Sequence, residues 1–273
     1  MAMVINTNVA SLNATRQLDA SSREQSVAME RLTSGLRINS AADDSAGLQV
    51  ASNMTKQVMG LDQAVRNSND GISLAQTIDG AAEEMDGMMQ RQRELAIQSL
   101  NGTYSSANRA AMDAEFTALS AELTRAATTT KFNGVAVLST QNQVNIQAGW
   151  EDTAADSITV TGIGGAAIAA AVTALAVDTS ANAAAAITGL DTNISTLNTQ
   201  RSAVGAVQNR LETTISNLQN ISENTSGARS NIQDADFAKE SAELARTQVL
   251  QQAGMSMLSQ SNQQSQNVLS LLR

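Results

Sequence analysis

The side chains that most readily perform catalysis are scarce in this sequence, and that scarcity narrows what it can do. It contains no His and no Cys, so the commonest general base and the thiolate nucleophile are both missing. Zinc, haem and iron–sulfur centres lose their usual ligands for the same reason. Two acidic pairs, Asp43–Asp44 and Glu83–Glu84, come nearest to an acid–base dyad or a metal site. Adjacent carboxylates on a helix point in different directions, however, so capping or solvation accounts for them better. Asn101-Gly102-Thr103 matches a glycosylation acceptor, but Asn-Gly is first of all a turn signal. No catalytic residue, metal ligand or cofactor is therefore expected.

The elements that remain are built for contact. The formal net charge is −9 and the pI near 4.5, which argues against a nucleic-acid partner. No segment approaches the roughly 18 apolar residues of a membrane span; the most apolar run, Gly162–Val177, is dominated by Gly and Ala. With no Pro and 2 % aromatics, the composition suits long helices packed side by side. Eleven Met supply adaptable filler between them. The N-terminus has no basic segment followed by an apolar run, so a general secretory signal is not expected.

Two stretches lack charge altogether. Thr247–Leu272 is built from Gln, Ser, Asn and apolar residues. On a helix, Leu250, Gly254, Met257, Ser261, Gln264, Val268 and Leu271 form a seam at alternating spacings of four and three, flanked by Leu258, Leu269 and Leu272. Met1–Thr15 is equally uncharged, with Val4, Ile5, Val9 and Leu12 as its apolar residues. A solvated helix normally carries charge on its outer face. The ends are accordingly expected to pair with each other and then with further copies. Frayed tails are the competing expectation, and both hold if the ends order only on assembly.

Between the ends, a 4–3 series from Leu18 through Ser22, Gln25, Met29, Leu32 and Leu36 predicts a first helix that extends to about Gly35. Ser34–Leu48 breaks it, with Asp43–Asp44–Ser45 capping the next helix. A long seam follows through Val58, Leu61, Val65 and Ile72 to Met89, ending at Asn101-Gly102. A further helix carries Met112, Phe116, Leu119 and Leu123. Asn133-Gly134 and the alternation at Val135, Val137, Val144 and Ile146 predict a small β-hairpin within about 130–150. Residues 153–186 carry little information beyond a strand at Ile158–Val160. The clearest heptad runs through Ile187, Leu190, Ile194, Leu197, Arg201, Val204, Gln208, Leu211, Ile215 and Leu218. Ser222–Ile232 should interrupt it before Asp234 and Asp236 open the last helix. This nearly palindromic order predicts a mostly α fold of long antiparallel coiled-coil bundles formed by pairing the N- and C-terminal halves, plus the hairpin. The breaks near Asn39 and Gly227 should lie side by side. Residues 1–40 with 232–273 would form an inner coiled-coil domain, 41–152 with 187–231 an outer bundle, and 153–186 a short variable insert.

Five stretches carry a resemblance: SGLRINSAADDSAGL (Ser34–Leu48), QRQRELAIQS (Gln90–Ser99), KFNG (Lys131–Gly134), NIQDADFAKE (Asn231–Glu240) and QNVLSLLR (Gln266–Arg273). In this order they resemble bacterial flagellins, over roughly residues 1–150 and 187–273. The resemblance implies a self-assembling subunit of the flagellar filament, secreted through the flagellum's own type III apparatus. It further implies inner tubes built by the termini, an export chaperone on the C-terminal helix, and filament-cap and hook-junction proteins as neighbours. On this reading Val4, Ile5, Val9, Leu12, Leu250, Met257, Leu258, Val268, Leu271 and Leu272 form the polymerisation core. Val58, Leu61, Val65, Ile72, Ile194, Leu197, Leu211 and Leu218 form the inner seam. Arg91, Leu95 and Glu115 match positions at which many flagellins meet the flagellin-sensing Toll-like receptor; subunit packing is the competing role for them. The short middle implies a thin filament without large outer domains, and Gln264-Ser265 stands where the family often has Pro. The alternatives are a hook–filament junction protein of the same fold family and, from another class, a signalling coiled coil like that of a chemoreceptor.

Overall fold

With no proline available, side-chain caps and one left-handed glycine set several of the helix boundaries. The computed structural model describes residues 7–139 and 141–271, with side chains described through residue 263. Helix α1 (Val9–Ser34) starts where the Asn8 side chain accepts from the Ser11 N–H at 3.1 Å. It stops at Gly35, whose φ of 73° is left-handed and whose N–H donates to the Arg31 carbonyl at 2.9 Å. Before α2 (Ser45–Leu100) the acidic pair acts as a cap. Asp43 Oδ2 accepts from the Ser40 N–H (2.8 Å), the Asn39 N–H (3.1 Å) and the Ser40 hydroxyl (3.0 Å); Asp44 Oδ1 accepts from the Gly47 N–H (2.9 Å). The backbone N–H of Ser40, then that of Asn39, holds the Asp43 carboxyl below its usual range. A carboxyl depressed on folding stabilises the fold above its ordinary range, and the contribution is lost as pH falls through the folded value.

Helix α3 (Ser106–Thr129) is capped by Ser105, which accepts from the Asn108 N–H at 3.3 Å. Helices α4 (Gly165–Thr173), α5 (Ser180–Gln233) and α6 (Phe237–Leu271) complete the helical set among the described residues. At the start of α6, Asp236 Oδ1 accepts from the Ala238 N–H at 2.9 Å.

The interruption expected at Ser222–Ile232 does not occur, because α5 stays helical through Gln233. Ser, Asn and Gly lower helix propensity by less than packing returns, and here Arg229 Nη1 donates to Thr55 Oγ1 at 3.4 Å. The break falls at 234–236 instead. There it pairs with the break after α1: Leu36 and Asp234 form an antiparallel bridge, Arg37 N–H donates to the Gln233 carbonyl (2.7 Å) and Ala235 N–H to the Gly35 carbonyl (2.9 Å). The breaks that lie side by side are thus at Leu36 and Asp234, and the one expected near Gly227 is absent.

The chain divides into two compact units. One holds the described residues up to Lys56 and from Asn224 onward; the other is Gln57–Glu223. In the second unit α2 and α5 run antiparallel, tied by Ser222 to Asp62 (3.3 Å), Arg201 to Asp79 (2.8 Å) and Arg93 to Asp191 (2.5 Å). The buried residues Ala183, Leu190, Leu197, Val204, Leu211 and Leu218 of α5 recur once per heptad, as a coiled-coil seam requires. Leu61 is buried against Ala64 and Leu218, while Val58, Val65, Ile72 and Ile194 are half-buried. Helix α3 is held on α2 by Gln92, whose amide donates to the Phe116 carbonyl (3.1 Å) and the Ser120 hydroxyl (2.8 Å).

Two antiparallel strand pairs lie on this bundle. Strands β1 (Lys131–Phe132) and β2 (Val135–Ala136) join through Asn133 and Gly134, at φ 47° and 84°, the positive values of a tight hairpin turn. Strand β3 (Gln143–Gln147) pairs instead with β4 (Ser157–Thr161), placing Val144 opposite Val160 and Ile146 opposite Ile158. The Val144–Ile146 run therefore belongs to a second pair, whose partner comes from the uninformative middle of the chain. Gly71 on α2 admits this sheet: a Cβ there would lie 3.0 Å from Ile146 and 3.2 Å from Leu211. Helix α4 packs on α3 through Ile168, Ala169 and Val172.

Leu211→Ala and Phe116→Ala empty fully buried positions and are each expected to cost about 2–5 kcal/mol, measured by chemical denaturation. Val249→Ala, on a solvated surface, should leave the unfolding midpoint of the unassembled chain within about 0.5 kcal/mol of the parent.

Candidate functional site

Helices α1 and α6 pair antiparallel, and small or polar residues make the seam. Asn8 Nδ2 donates to the Ser261 carbonyl (3.2 Å), and the Ser261 hydroxyl to Asn8 Oδ1 (3.3 Å). One register step on, Leu18 lies over Gly254, where an added Cβ would sit 2.9 Å from the leucine methyl. The buried Ser21 hydroxyl donates to the Thr247 carbonyl (3.1 Å), and Arg31 meets the buried Glu240 at 3.3 Å. Between them, at the surface, Arg246 bridges Glu24 (3.2 Å) and its own-helix neighbour Glu243. The α6 side of the seam is thus Glu240, Leu244, Thr247, Gln251, Gly254, Leu258 and Ser261, in steps of four and three.

This seam shares Gly254 and Ser261 with the series read from sequence but excludes its large members. Leu250 and Met257 are exposed, as are Val9 at 59 %, Leu12 at 55 % and Val249 at 65 %; Leu258 is half-buried. Helical geometry places Met255 and Met257 on either flank of the seam and Val249 behind it. Val4, Ile5 and Leu272, and the side chains of Val268 and Leu271, lie outside the described residues. Thr247 and Ser21 are buried in the seam, and apolar periodicity does not mark them. Their signal was available: polar residues of small volume spaced to match the 4–3 line permit close approach of two helices.

Close to the α1 and α6 ends, Arg31, Arg37 and Lys239 share a crevice of about 530 Å³ with Asp234, Asp236, Glu240 and Glu243. Interleaved charge of both signs gives it no preference for an anion or a cation, and Arg37 is engaged with the Ile232 carbonyl at 2.5 Å. Among the described residues no cluster of acidic side chains could hold a metal ion, and no helix is long and apolar enough to cross a membrane.

In the Gln57–Glu223 unit, Arg91 and Glu115 are exposed and bonded to each other at 2.9 Å across α2 and α3; Arg91 also reaches Glu94 at 2.9 Å. Hydrogen bonding to Glu115, then to Glu94, raises the Arg91 pKa further above its ordinary value. Leu95, one turn away, is 1 % exposed. It faces the core and anchors α2 rather than presenting itself at the surface. The residues bring together one exposed ion pair and one buried anchor.

The close approach at Gly254 sets a test of the α1–α6 seam. Gly254→Val is expected to cost about 1–3 kcal/mol through overpacking against Leu18, read as faster amide exchange along α1. Gly227→Ala, where nothing lies within 4 Å, should leave that exchange unchanged.

Comparison with known proteins agrees with this arrangement at both ends of the chain. Residues 5–143 match the bacterial flagellin N-terminal helical region, and residues 187–272 the bacterial flagellin C-terminal helical region. A flagellin of Halalkalibacterium halodurans is 45 % identical over 272 residues, covering 99 % of this chain and 100 % of that one. Flagellin of Bacillus subtilis is 40 % identical, and the flagellar filament 31.3 kDa core protein of Treponema maltophilum 37 %, each over 99 % of this chain and 100 % of the relative. The crystal structure of Bacillus cereus flagellin superimposes with a TM-score of 0.51 at 30 % identity, covering 56 % of this chain and 88 % of that one. With both helical regions present, in order, and full-length relatives at this identity, the chain belongs to the bacterial flagellin family.

Proposed function

We propose that this chain is a structural subunit of the bacterial flagellar filament, the helical propeller of swimming cells, secreted and assembled outside the cell. One observation carries the reading. The terminal helices use their small and polar residues on each other and leave Val9, Leu12, Val249, Leu250 and Met257 exposed on an almost charge-free surface. Large apolar groups held in water are a reserve of association free energy, about 25 cal/mol for each Å² later covered. A single chain cannot use that reserve, whereas a polymer of identical chains can. The names of the B. subtilis and T. maltophilum relatives agree with this reading.

In this proposal residues 1–40 with 232–273 form the inner tubes, and 41–152 with 187–231 the surrounding shell through the Leu61, Leu197, Leu211 and Leu218 seam. Residues 153–186 are a short insert. An export chaperone covers the apolar faces of α6 before secretion, and cap and hook-junction proteins bound the polymer at its ends. The Arg91–Glu115 pair is the surface that the flagellin-sensing Toll-like receptor reads on the unassembled chain, with Leu95 holding α2 in place beneath it.

Seeded polymerisation tests the main claim. The full chain should extend seeds into long filaments, scored by light scattering and electron microscopy, while a chain truncated after Gln248 should not. Single-layer binding to filament ends or hooks, without growth, would replace the filament reading with the junction-protein one. For the receptor surface, Arg91→Glu sets one carboxylate against those of Glu115 and Glu94 and should weaken receptor activation by the monomer about tenfold or more, the scale of one lost charge-assisted contact. Unchanged activation would remove Arg91 from that surface.

A further inference from the structure

The described methionines range from fully buried to well exposed, and Met29 at 50 % and Met59 at 66 % are exposed along with two on α6. Met85 and Met89 are fully buried in the core of the Gln57–Glu223 unit. Met255 and Met257 are 63 % and 62 % exposed, one on each flank of the α1–α6 seam. An exposed thioether is open to oxygen-atom transfer, whereas a core thioether is shielded by its neighbours. Where a methionine sits at an apolar contact, the product is no longer apolar: a sulfoxide is polar and chiral, and it disrupts Met-rich contacts.

We propose that Met255 and Met257 are reversible oxidation sites that gate entry of the chain into the polymer. The inference rests on the filament reading above, since it acts through the surface that assembly covers. The oxidant is hydrogen peroxide. The thioether sulfur attacks one peroxide oxygen, the O–O bond breaks, and an S–O bond forms; after proton transfer water leaves. Sulfur loses two electrons and peroxide gains them. The reverse step consumes a dithiol, through a methionine sulfoxide reductase, and yields a disulfide and water.

In the unassembled chain the sulfoxide oxygen is hydrated and costs little. On assembly that hydration must be surrendered at a face otherwise covered by apolar contact, so oxidation selects against the assembled state. The surroundings sharpen the effect. From Thr247 to the end of the described side chains α6 itself carries no charged residue, so two sulfoxides change the polarity of this helix face more than they would on one already charged. The core methionines provide the contrast, because their shielding keeps the fold intact while the outer face changes. The device is a surface that peroxide turns off and a dithiol reductase turns back on.

The test uses the full chain, treated with hydrogen peroxide to partial conversion and then offered to seeds. Mass spectrometry locates sulfoxide in the pelleted filaments and in the chains left in solution. Sulfoxide at Met255 and Met257 is expected to form well ahead of Met85 and Met89, and to be about tenfold depleted in the filaments, the scale of one buried polar group left without a partner. Reduction with a sulfoxide reductase and a dithiol should return the soluble fraction to growth. Equal sulfoxide content in filaments and solution overturns the proposal, as does growth that reduction fails to restore. An untreated chain that does not extend seeds overturns the filament reading itself, and the two failures are thereby distinct.

Discussion

The antiparallel pairing of α1 with α6 is the constraint on which the functional surface depends. Its closest point is Leu18 against Gly254, followed by the Ser21 hydroxyl on the Thr247 carbonyl. Small residues there let two long helices approach closely, so each helix satisfies the other with little apolar area. The consequence is unusual for a soluble helix pair. The larger side chains are not consumed by the fold, and Val9, Leu12, Val249 and Met257 stay in water. A seam that took in those larger side chains would have used their apolar area within the single chain, and would have left less to drive association.

The unit formed by Gln57–Glu223 follows the opposite rule. Its seam repeats a buried leucine, alanine or valine once per heptad along α5, and Phe116, Leu123 and Met85 fill the space against α2 and α3. Polar groups buried there are bonded and specific: Gln92 holds the Phe116 carbonyl and Ser120, and Ser99 donates to the Val177 carbonyl at 2.5 Å. Arg201 occupies a seam position yet meets Asp79 at the edge of the core. This unit encloses a buried core of its own, while the terminal pair leaves large apolar residues exposed.

Much of this order was legible because it is local. Caps are set by neighbouring residues, so Asp43–Asp44, Asn133-Gly134 and Asp236 announced their turns directly. The family signature is local too, and the matched regions at residues 5–143 and 187–272 lie where the five motifs placed them. The pairing of first helix with last follows from order and length alone. Gly227 marks the limit of such reasoning: a glycine among Ser and Asn reads as a break, yet continuous packing carried α5 through it to Gln233. Leu95 marks another, since a residue one turn from exposed Arg91 can face the core.

Sequence by itself determined the fold class, the family, the helix order and the uncharged character of both ends, because periodicity, caps and composition are written residue by residue. Tertiary structure decided which strand meets which and which face of α6 turns inward. Val144 and Ile146 pair with Val160 and Ile158 across a loop whose residues announce nothing, and such pairing is a balance of contacts far apart in the chain. On α6 two lines of 4–3 spacing share Gly254 and Ser261, and apolar periodicity alone favours the one with Leu250 and Met257. Packing chose the other, because two long helices gain more from the close approach that Gly254 and Thr247 permit than from the bulk of the residues left facing outward.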